Sequence, residues 1–416
     1  MKIFVITSQV GLMALPRSKV ELLKEIIKLK GLIYVGTRGN TSGGTAIVGE
    51  APGGNEERLR LPFVGASGKE LGRILRDAGW PGGYLELEKG NSVFAPREIW
   101  YTNVFKVRPP GNDLTRLVEY GISTEMFVEA FLEELRTYRP TIIIATGNTS
   151  LGTLCPETRG KGGNARIGTY RGSLLRSSLL DWEHYVVPCH HPAFVLREWK
   201  ERPVCTFCLE RAREEFDYFL RTGNLQPLPR RHLKIQPEFG ELRAYLVGCL
   251  QTARRRVSVD IELLYGWPIV YGLAISPSDA ISFSLWDYPD HQIVELWRLL
   301  NEVLRSCPQI GQNYIGFDCT YHEWLGLEPN LRLFNSQIED TMVLHHVLWP
   351  ELPHKLEFLA MQYTREPYWK DEGKRWKSRD GIKPLMHYNA LDAAVTYEVW
   401  LAMQAELAER SSYAVL

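Results

Sequence analysis

The chain lacks any uninterrupted apolar run near the ~18 residues that a bilayer-spanning helix needs, which excludes an integral membrane protein. Cysteine is scarce: seven residues in 416 do not make a secreted disulfide framework. Net charge is absent as well, with 49 basic and 49 acidic residues. There is no internal repeat and no long low-complexity tract, and the composition argues against a wholly disordered, collagen-like or coiled-coil chain. The opening stretch, Met1 to Pro16, makes a poor signal peptide: its only charge is Lys2, and Thr7, Ser8 and Gln9 interrupt the apolar run. The expectation is a cytoplasmic protein. What remains is ordinary globular composition, 44% hydrophobic and 24% charged, at a length that suits two or three domains of roughly 150 residues.

The zero net charge hides a split. Residues 1–232 carry 32 basic and 25 acidic groups, and the remainder carries 17 basic and 24 acidic groups. A basic front half hints at a polyanionic partner, and an acidic rear half at carboxylates gathered for a purpose. The sign changes within residues 223–238, where three prolines, a glycine and a basic cluster show no period. This stretch is read as a linker between domains 1–222 and 239–416.

In the front half, short apolar runs at Thr45–Gly49, Ile99–Phe105, Thr141–Thr146 and Tyr185–Pro188 alternate with helical patterns such as Met126–Tyr138. Strands alternating with helices predict a parallel four-stranded sheet with helices on both faces. Ligands of such sheets sit beyond the carboxyl ends of the strands. Each strand here is followed there by an unusual loop rich in glycine, proline or histidine.

The rear half opens with strand-like runs Arg256–Leu264, Ile269–Ser276 and Ala280–Trp286, joined closely enough to be antiparallel. A helical run Gln292–Arg305 follows, and a long helix is expected near Pro384–Glu409. The prediction is an α/β domain with a mixed sheet. On the first strand, Asp260 and Glu262 stand two residues apart and face the same side. Two half-buried carboxylates repel unless a cation or proton intervenes. Asp318 ends another strand-like run, and Asp392 lies four residues after Tyr388 on the terminal helix, on the same helix face. Four carboxylates and a tyrosine can hold two divalent ions for phosphodiester hydrolysis, and oxygen-only ligands favour Mg²⁺ or Mn²⁺.

These three motifs resemble the proofreading 3′–5′ exonuclease superfamily, which has a ribonuclease-H-like fold. The stretch from Glu339-Asp340-Thr341 through Leu352–Leu359, and the stretch Tyr363–Lys374, resemble exonuclease domains attached to bacteriophage family A DNA polymerases. The resemblance covers about residues 253–410. It implies Asp260, Glu262, Asp318 and Asp392 as metal ligands and Tyr388 as the residue that orients the attacking water. His387 also fits the variant of the superfamily that uses histidine, so His387 and Tyr388 both stand as candidates. The spacing of Asn313 from Asp318 is one residue longer than in many such domains, which leaves the role of Asn313 open. No polymerase sequence follows residue 410. The expected partners are therefore single-stranded DNA 3′ ends and a separate family A-like polymerase, in the host cytoplasm of a phage.

The front loops carry their own chemistry. A base excised from DNA must leave the stack and be read on its polar edge. Phe63 offers a ring to stack on, and Asn103 offers both a donor and an acceptor. Glu50 could position a water, and His191 could stabilise charge on the departing base. Phe194, Val195 and Leu196 could wedge into the duplex. The run Gly49–Gly53, then Pro62–Gly65, Tyr101–Lys106 before Arg108-Pro109-Pro110, and His190–Arg197 resemble family 4 uracil-DNA glycosylases over about residues 20–220.

Two departures accompany this resemblance. The family's iron–sulfur cysteines are missing at the start, and Val107 stands where another belongs. An iron–sulfur cluster or zinc relocated to Cys155, Cys189, Cys205 and Cys208 is one reading of the cysteines present, and thiols without a metal are the other. Arg60 also stands where the family has glycine. The module is read as a competent glycosylase, with a catalytically silent platform for DNA or polymerase as the alternative.

Overall fold

A computed structural model describes residues 18–251, 256–329, 338–371, 373, 376–377 and 381–413. The opening stretch read above against a signal peptide lies outside them, as do positions 372 and 374 of the Tyr363–Lys374 stretch. Chain contacts divide into two compact units. One runs up to Gly168 and resumes over Arg176–Leu225; the other holds Thr169–Leu175 and Gln226–Leu416. Among the described residues, no helix is long and apolar enough to cross a membrane.

The front unit is built on β1 (Arg38–Gly39), β2 (Thr45–Gly49), β5 (Ile99–Asn103), β6 (Ile142–Thr146) and β7 (Tyr185–Cys189), in the order β1-β5-β2-β6-β7. The pairs β5–β2, β2–β6 and β6–β7 are parallel, as the alternating pattern predicts. Every residue of these four strands is buried, which is why they read as continuous apolar runs rather than alternating ones. Two features go beyond the expectation. β1 is a two-residue antiparallel edge on β5. β3 (Gly82–Glu86) and β4 (Ser92–Pro96) form a separate hairpin.

Helices cover both faces of the sheet. The helix Thr124–Tyr138 starts at Ser123, whose hydroxyl oxygen accepts from the Met126 amide, and ends at Arg139 in the left-handed region. It buries Phe127, Ala130, Phe131, Glu134 and Leu135.

The rear unit holds one mixed sheet. Its strands are β8 (His232–Ile235), β9 (Val257–Leu264), β10 (Trp267–Ser276), β11 (Asp279–Phe283), β12 (Gln309–Gly311) and β13 (Ile338–Asp340), in the order β13-β12-β9-β10-β11-β8. The meander β9-β10-β11 is antiparallel, and β12, β13 and β8 add in parallel. β8 corrects the linker reading. Its four residues lie inside 223–238, alternate exposed and half-buried, and pair with β11. Prolines on both sides hid a strand too short to show a period.

Val257, Val259 and Ile261 of β9 enter a core with Leu296, Leu300, Val303 and Leu304 of the helix Asp290–Ser306. The alternation that buries them turns Asp260 and Glu262 to the other face. The terminal helix Lys383–Tyr413 packs on that face. Ala390, Ala393 and Ala394 meet Ala274 and Ala280, so small side chains let helix and sheet approach closely.

Candidate functional site

In the front unit, Gly49 and Asn103 are partners in register at the carboxyl ends of β2 and β5. A Cβ on Gly49 would lie 2.2 Å from Asn103 Oδ1 and 2.7 Å from Phe63 Cζ, so only glycine admits both side chains. Phe63 is itself held in the left-handed region at φ 56°. Its surroundings over-determine that backbone. Arg38 Nε donates to Pro62 O at 2.6 Å and Nη2 to Phe63 O at 3.2 Å. The buried Glu56 carboxylate accepts from the Val64 and Gly65 amides at 3.2 and 2.7 Å.

Glu50, Phe63, Asn103 and His191 line one cavity of about 230 Å³, together with Pro52, Ser67 and Asn112. The size suits a single flipped base better than a drug-sized ligand. The Thr149 hydroxyl donates to the Glu50 carboxylate, which fixes its direction. His191 Nδ1 accepts from the Ala193 amide at 3.2 Å, so in the neutral ring the proton sits on Nε2. Burial first, and the Arg197 charge second, push the imidazole down to about 4. His191 is therefore a neutral donor.

Three sequence expectations are corrected or refined here. Phe194 packs on the His190 ring, with centroids 4.8 Å apart, and Val195 is fully buried. Leu196, at 45%, is the most exposed of the three. Of the four cysteines considered for a metal, Cys189 lies against Cys205 and Cys208. Cys155 is held apart, against the Arg176 carbonyl and Glu157. The four do not form one ligand set: among the described residues the only ligand atoms converging in a group of three or more belong to acids. A four-cysteine cluster does not fit this arrangement. Arg60, where the resembled family has glycine, ends the helix Gly54–Leu59 in the left-handed region at φ 56°.

In the rear unit, the carboxylates of Asp260, Glu262 and Asp392 converge, with ligand atoms within 4.8 Å of one another. The expectation of four converging acids is met in part. Asp318, first residue of the helix Asp318–Trp324, lies beside the group, and its Oδ1 accepts from the Ile261 amide at 3.0 Å. The acids carry the mark of crowded negative charge. Burial, then Asp392, Glu262 and Asp318, hold the Asp260 carboxyl well above the usual range. Glu262 is pushed up to about 7 by burial and by Asp392, and Lys370 opposes the rise. Asp318 is raised by burial, against the pull of the Ile261 amide. An all-oxygen donor set whose members resist ionising together fits a hard divalent cation.

Tyr388 faces this group, its hydroxyl pushed up by burial and by Asp392, Asp260 and Glu262. His387 is exposed. Helix geometry thus brings the tyrosine, not the histidine, to the acids.

Several participants escaped the sequence reading. Asn389 Nδ2 donates to Asp260 Oδ2 at 2.6 Å, and its Oδ1 accepts from Ser282 at 2.7 Å. Lys370 Nζ donates to Asp392 Oδ2 and, at 3.0 Å, to the Tyr388 hydroxyl. Trp369 Nε1 donates to Asp392 Oδ1 at 2.6 Å. Asp340 accepts from the Asn313 and Ile315 amides at 3.0 and 3.1 Å, pinning the loop that leads into Asp318. Asn313 takes the left-handed turn of that loop at φ 57°. Asn389, Lys370 and Asp340 all lie inside stretches quoted for the exonuclease resemblance, so position was the available signal and direction was not.

Comparisons with known proteins bear on the two units differently. The chain is 30% identical over 158 residues to a type-4 uracil-DNA glycosylase of Saccharolobus solfataricus, covering 38% of this chain and 64% of that protein. It is 30% identical over 155 residues to the type-4 uracil-DNA glycosylase of Pyrobaculum aerophilum, covering 37% of this chain and 69% of that protein. Among solved structures, the EXO domain of Aedes aegypti Nibbler matches 44% of this chain and 92% of its own at 15% identity and a TM-score of 0.33. Residues 37–215 match the uracil DNA glycosylase superfamily, and through that segment the chain belongs to it.

Proposed function

We propose that the rear unit is a metal-dependent 3′–5′ DNA exonuclease and that the front unit excises uracil from DNA. The observation that carries the nuclease reading is the convergence of Asp260, Glu262 and Asp392, with Tyr388 turned toward them. Asp260, Glu262 and Asp392 would hold Mg²⁺ or Mn²⁺, with Asp318 adjacent. When bound, such an ion supplies an activated water and stabilises the leaving oxygen. Asn389 holds the Asp260 carboxylate toward the site, and Tyr388 orients the water. The 3′–5′ polarity and the proofreading role come from the motif resemblance, as does a separate family A-like DNA polymerase as the supplier of 3′ ends.

A single-stranded substrate is supported by a chain of rings on the elements that carry the acids. Phe317 meets Tyr321 at 5.1 Å, Tyr321 meets Trp324 at 6.4 Å, and Trp324 meets Trp267 at 4.7 Å between centroids. Trp324 and Trp267 are 57% and 54% exposed. Phe317 precedes Asp318, and Trp267 opens the strand paired with β9. Exposed rings that stack on any base suit an enzyme that must accept every sequence.

In the front pocket, Phe63 stacks on the flipped base and Asn103 reads its edge. Glu50 holds the water that adds to the sugar carbon. As the bond from that carbon to the base nitrogen breaks, its electron pair leaves with the base, and His191 Nε2–H donates to the charge that develops.

One experiment tests both readings: a 5′-labelled oligonucleotide with one internal uracil, treated first in chelator and then in Mg²⁺. Alkali-dependent cleavage at the uracil in chelator is expected, because excision needs no divalent ion. A ladder from the 3′ end is expected in Mg²⁺, and Asp260→Ala should abolish it. No alkali-dependent cleavage would leave the front pocket as a binding platform. A ladder persisting in Asp260→Ala, or in excess chelator, would overturn the nuclease reading.

A further inference from the structure

We infer that Lys370 is a positioning residue of the nuclease site, which sets the direction of the Tyr388 hydroxyl and serves the acid cluster as a built-in cation. The inference rests on the nuclease reading above and adds a residue that the acid motifs do not include.

An ammonium has three hydrogens and no acceptor. Its 3.0 Å contact therefore makes the Tyr388 oxygen the acceptor. The phenol hydrogen must then point away from Lys370, toward Asp392 or a water in the site. Without this neighbour both in-plane directions of the phenol hydrogen would be open to it. The same ammonium donates to Asp392 Oδ2 and lies 4.9 Å from the Tyr388 ring centroid. Trp369, the preceding residue, takes the other oxygen of Asp392 at 2.6 Å. Two consecutive residues thus address both oxygens of one candidate ligand and the hydroxyl of the water-orienting residue.

This is not a surface lysine resting on an acid. The Lys370 side chain is 11% exposed, that of Asp392 5%, and Trp369 anchors the segment at 5%. Exposed pairs contribute little, but a buried charge persists only with a partner. Three converging carboxylates with a fourth beside them are relieved by positive charge, and Lys370 brings one on the chain itself. A purely structural ion pair would change stability and leave the cleavage step alone. A positioning residue changes turnover through Tyr388.

The test uses the full chain with Lys370→Met, Lys370→Arg and Lys370→Gln, each alone and with Tyr388→Phe, on 5′-labelled oligo(dT). Lys370→Met should lower kcat about 10- to 100-fold with KM changed less than about 3-fold, and Lys370→Arg should recover most of the loss. In the Tyr388→Phe background, Lys370→Met should cost less than about 3-fold more, because the two act as one unit. A second readout is independent of turnover. In chelator, Lys370→Met should melt below the parent, and it should gain more than the parent on adding Mn²⁺. Lys370→Gln repeats each arm if the methionine variant does not fold. An unchanged kcat, or a full penalty in the Tyr388→Phe background, would overturn the positioning role. If the parent protein shows no nuclease activity in Mg²⁺ or Mn²⁺, the nuclease reading fails, and melting alone decides. An equal Mn²⁺ gain in parent and variant would then overturn the built-in cation.

Discussion

The Asn103 side-chain oxygen lies 2.2 Å from the point where a Cβ on Gly49 would stand, so two residues 54 positions apart meet directly behind the front cavity, which Asn103 lines. The relation follows from register, since Gly49 and Asn103 end neighbouring parallel strands.

Gly49→Ala should therefore disable the front pocket. The added methyl displaces Asn103 or Phe63, and overpacking of this kind costs about 1–3 kcal/mol of stability. Excision from a uracil-containing duplex should fall by at least about 100-fold, while the protein stays folded by circular dichroism. Activity within a few-fold of the parent would show that Asn103 does not read the base.

His191 supplies a pH prediction. Its folded value is depressed to about 4, against roughly 6.5 for a free imidazole. The neutral ring is thus favoured by folding. Its stabilising contribution is present above about 6.5 and is lost as pH falls from there toward 4, because the unfolded chain takes up the proton first. Excision should accordingly persist with a neutral His191 down to about pH 5. Histidine NMR titration checks the ring directly, and a midpoint near 6.5 in the folded protein would contradict the neutral donor.

The aromatic chain of the rear unit predicts a binding defect. Trp267→Ala with Trp324→Ala should weaken binding of oligo(dT) in chelator by about 10-fold or more, at the ~1–3 kcal/mol expected per stacked base. Intrinsic tryptophan fluorescence in the parent should be quenched on binding. Equal affinity in parent and double variant would remove these rings from the DNA path.

A stability prediction concerns the front core. Lys106 is fully buried, and its ammonium meets Glu134 at 2.5 Å and Thr102 at 2.6 Å. Glu134→Ala leaves that charge unpaired, at a cost of about 3–5 kcal/mol. Urea unfolding should show the loss in the midpoint, and Lys106→Met with Glu134→Leu should recover much of it.

Much of both sites was legible in order along the chain. Asp260 and Glu262 share a face because side chains alternate on a strand, and Tyr388 pairs with Asp392 because four residues close a helical turn. The parallel front strands were legible because each is buried on both sides and reads as an apolar run. β8 was not, since its pairing with β11 is made far from its own neighbours in sequence. Nor was the burial of Val195, which local pattern cannot separate from an exposed wedge.

The sequence by itself determined which residue types are available and which face of an element each occupies, because those follow from local periodicity. Only the tertiary structure decided direction. It turned Tyr388 rather than His387 to the acids, drew Cys189 to Cys205 and Cys208 but not to Cys155, and set Lys370 against Asp392. These outcomes depend on the packing of elements distant in the chain, where burial and paired charge select one arrangement from those that local pattern allows.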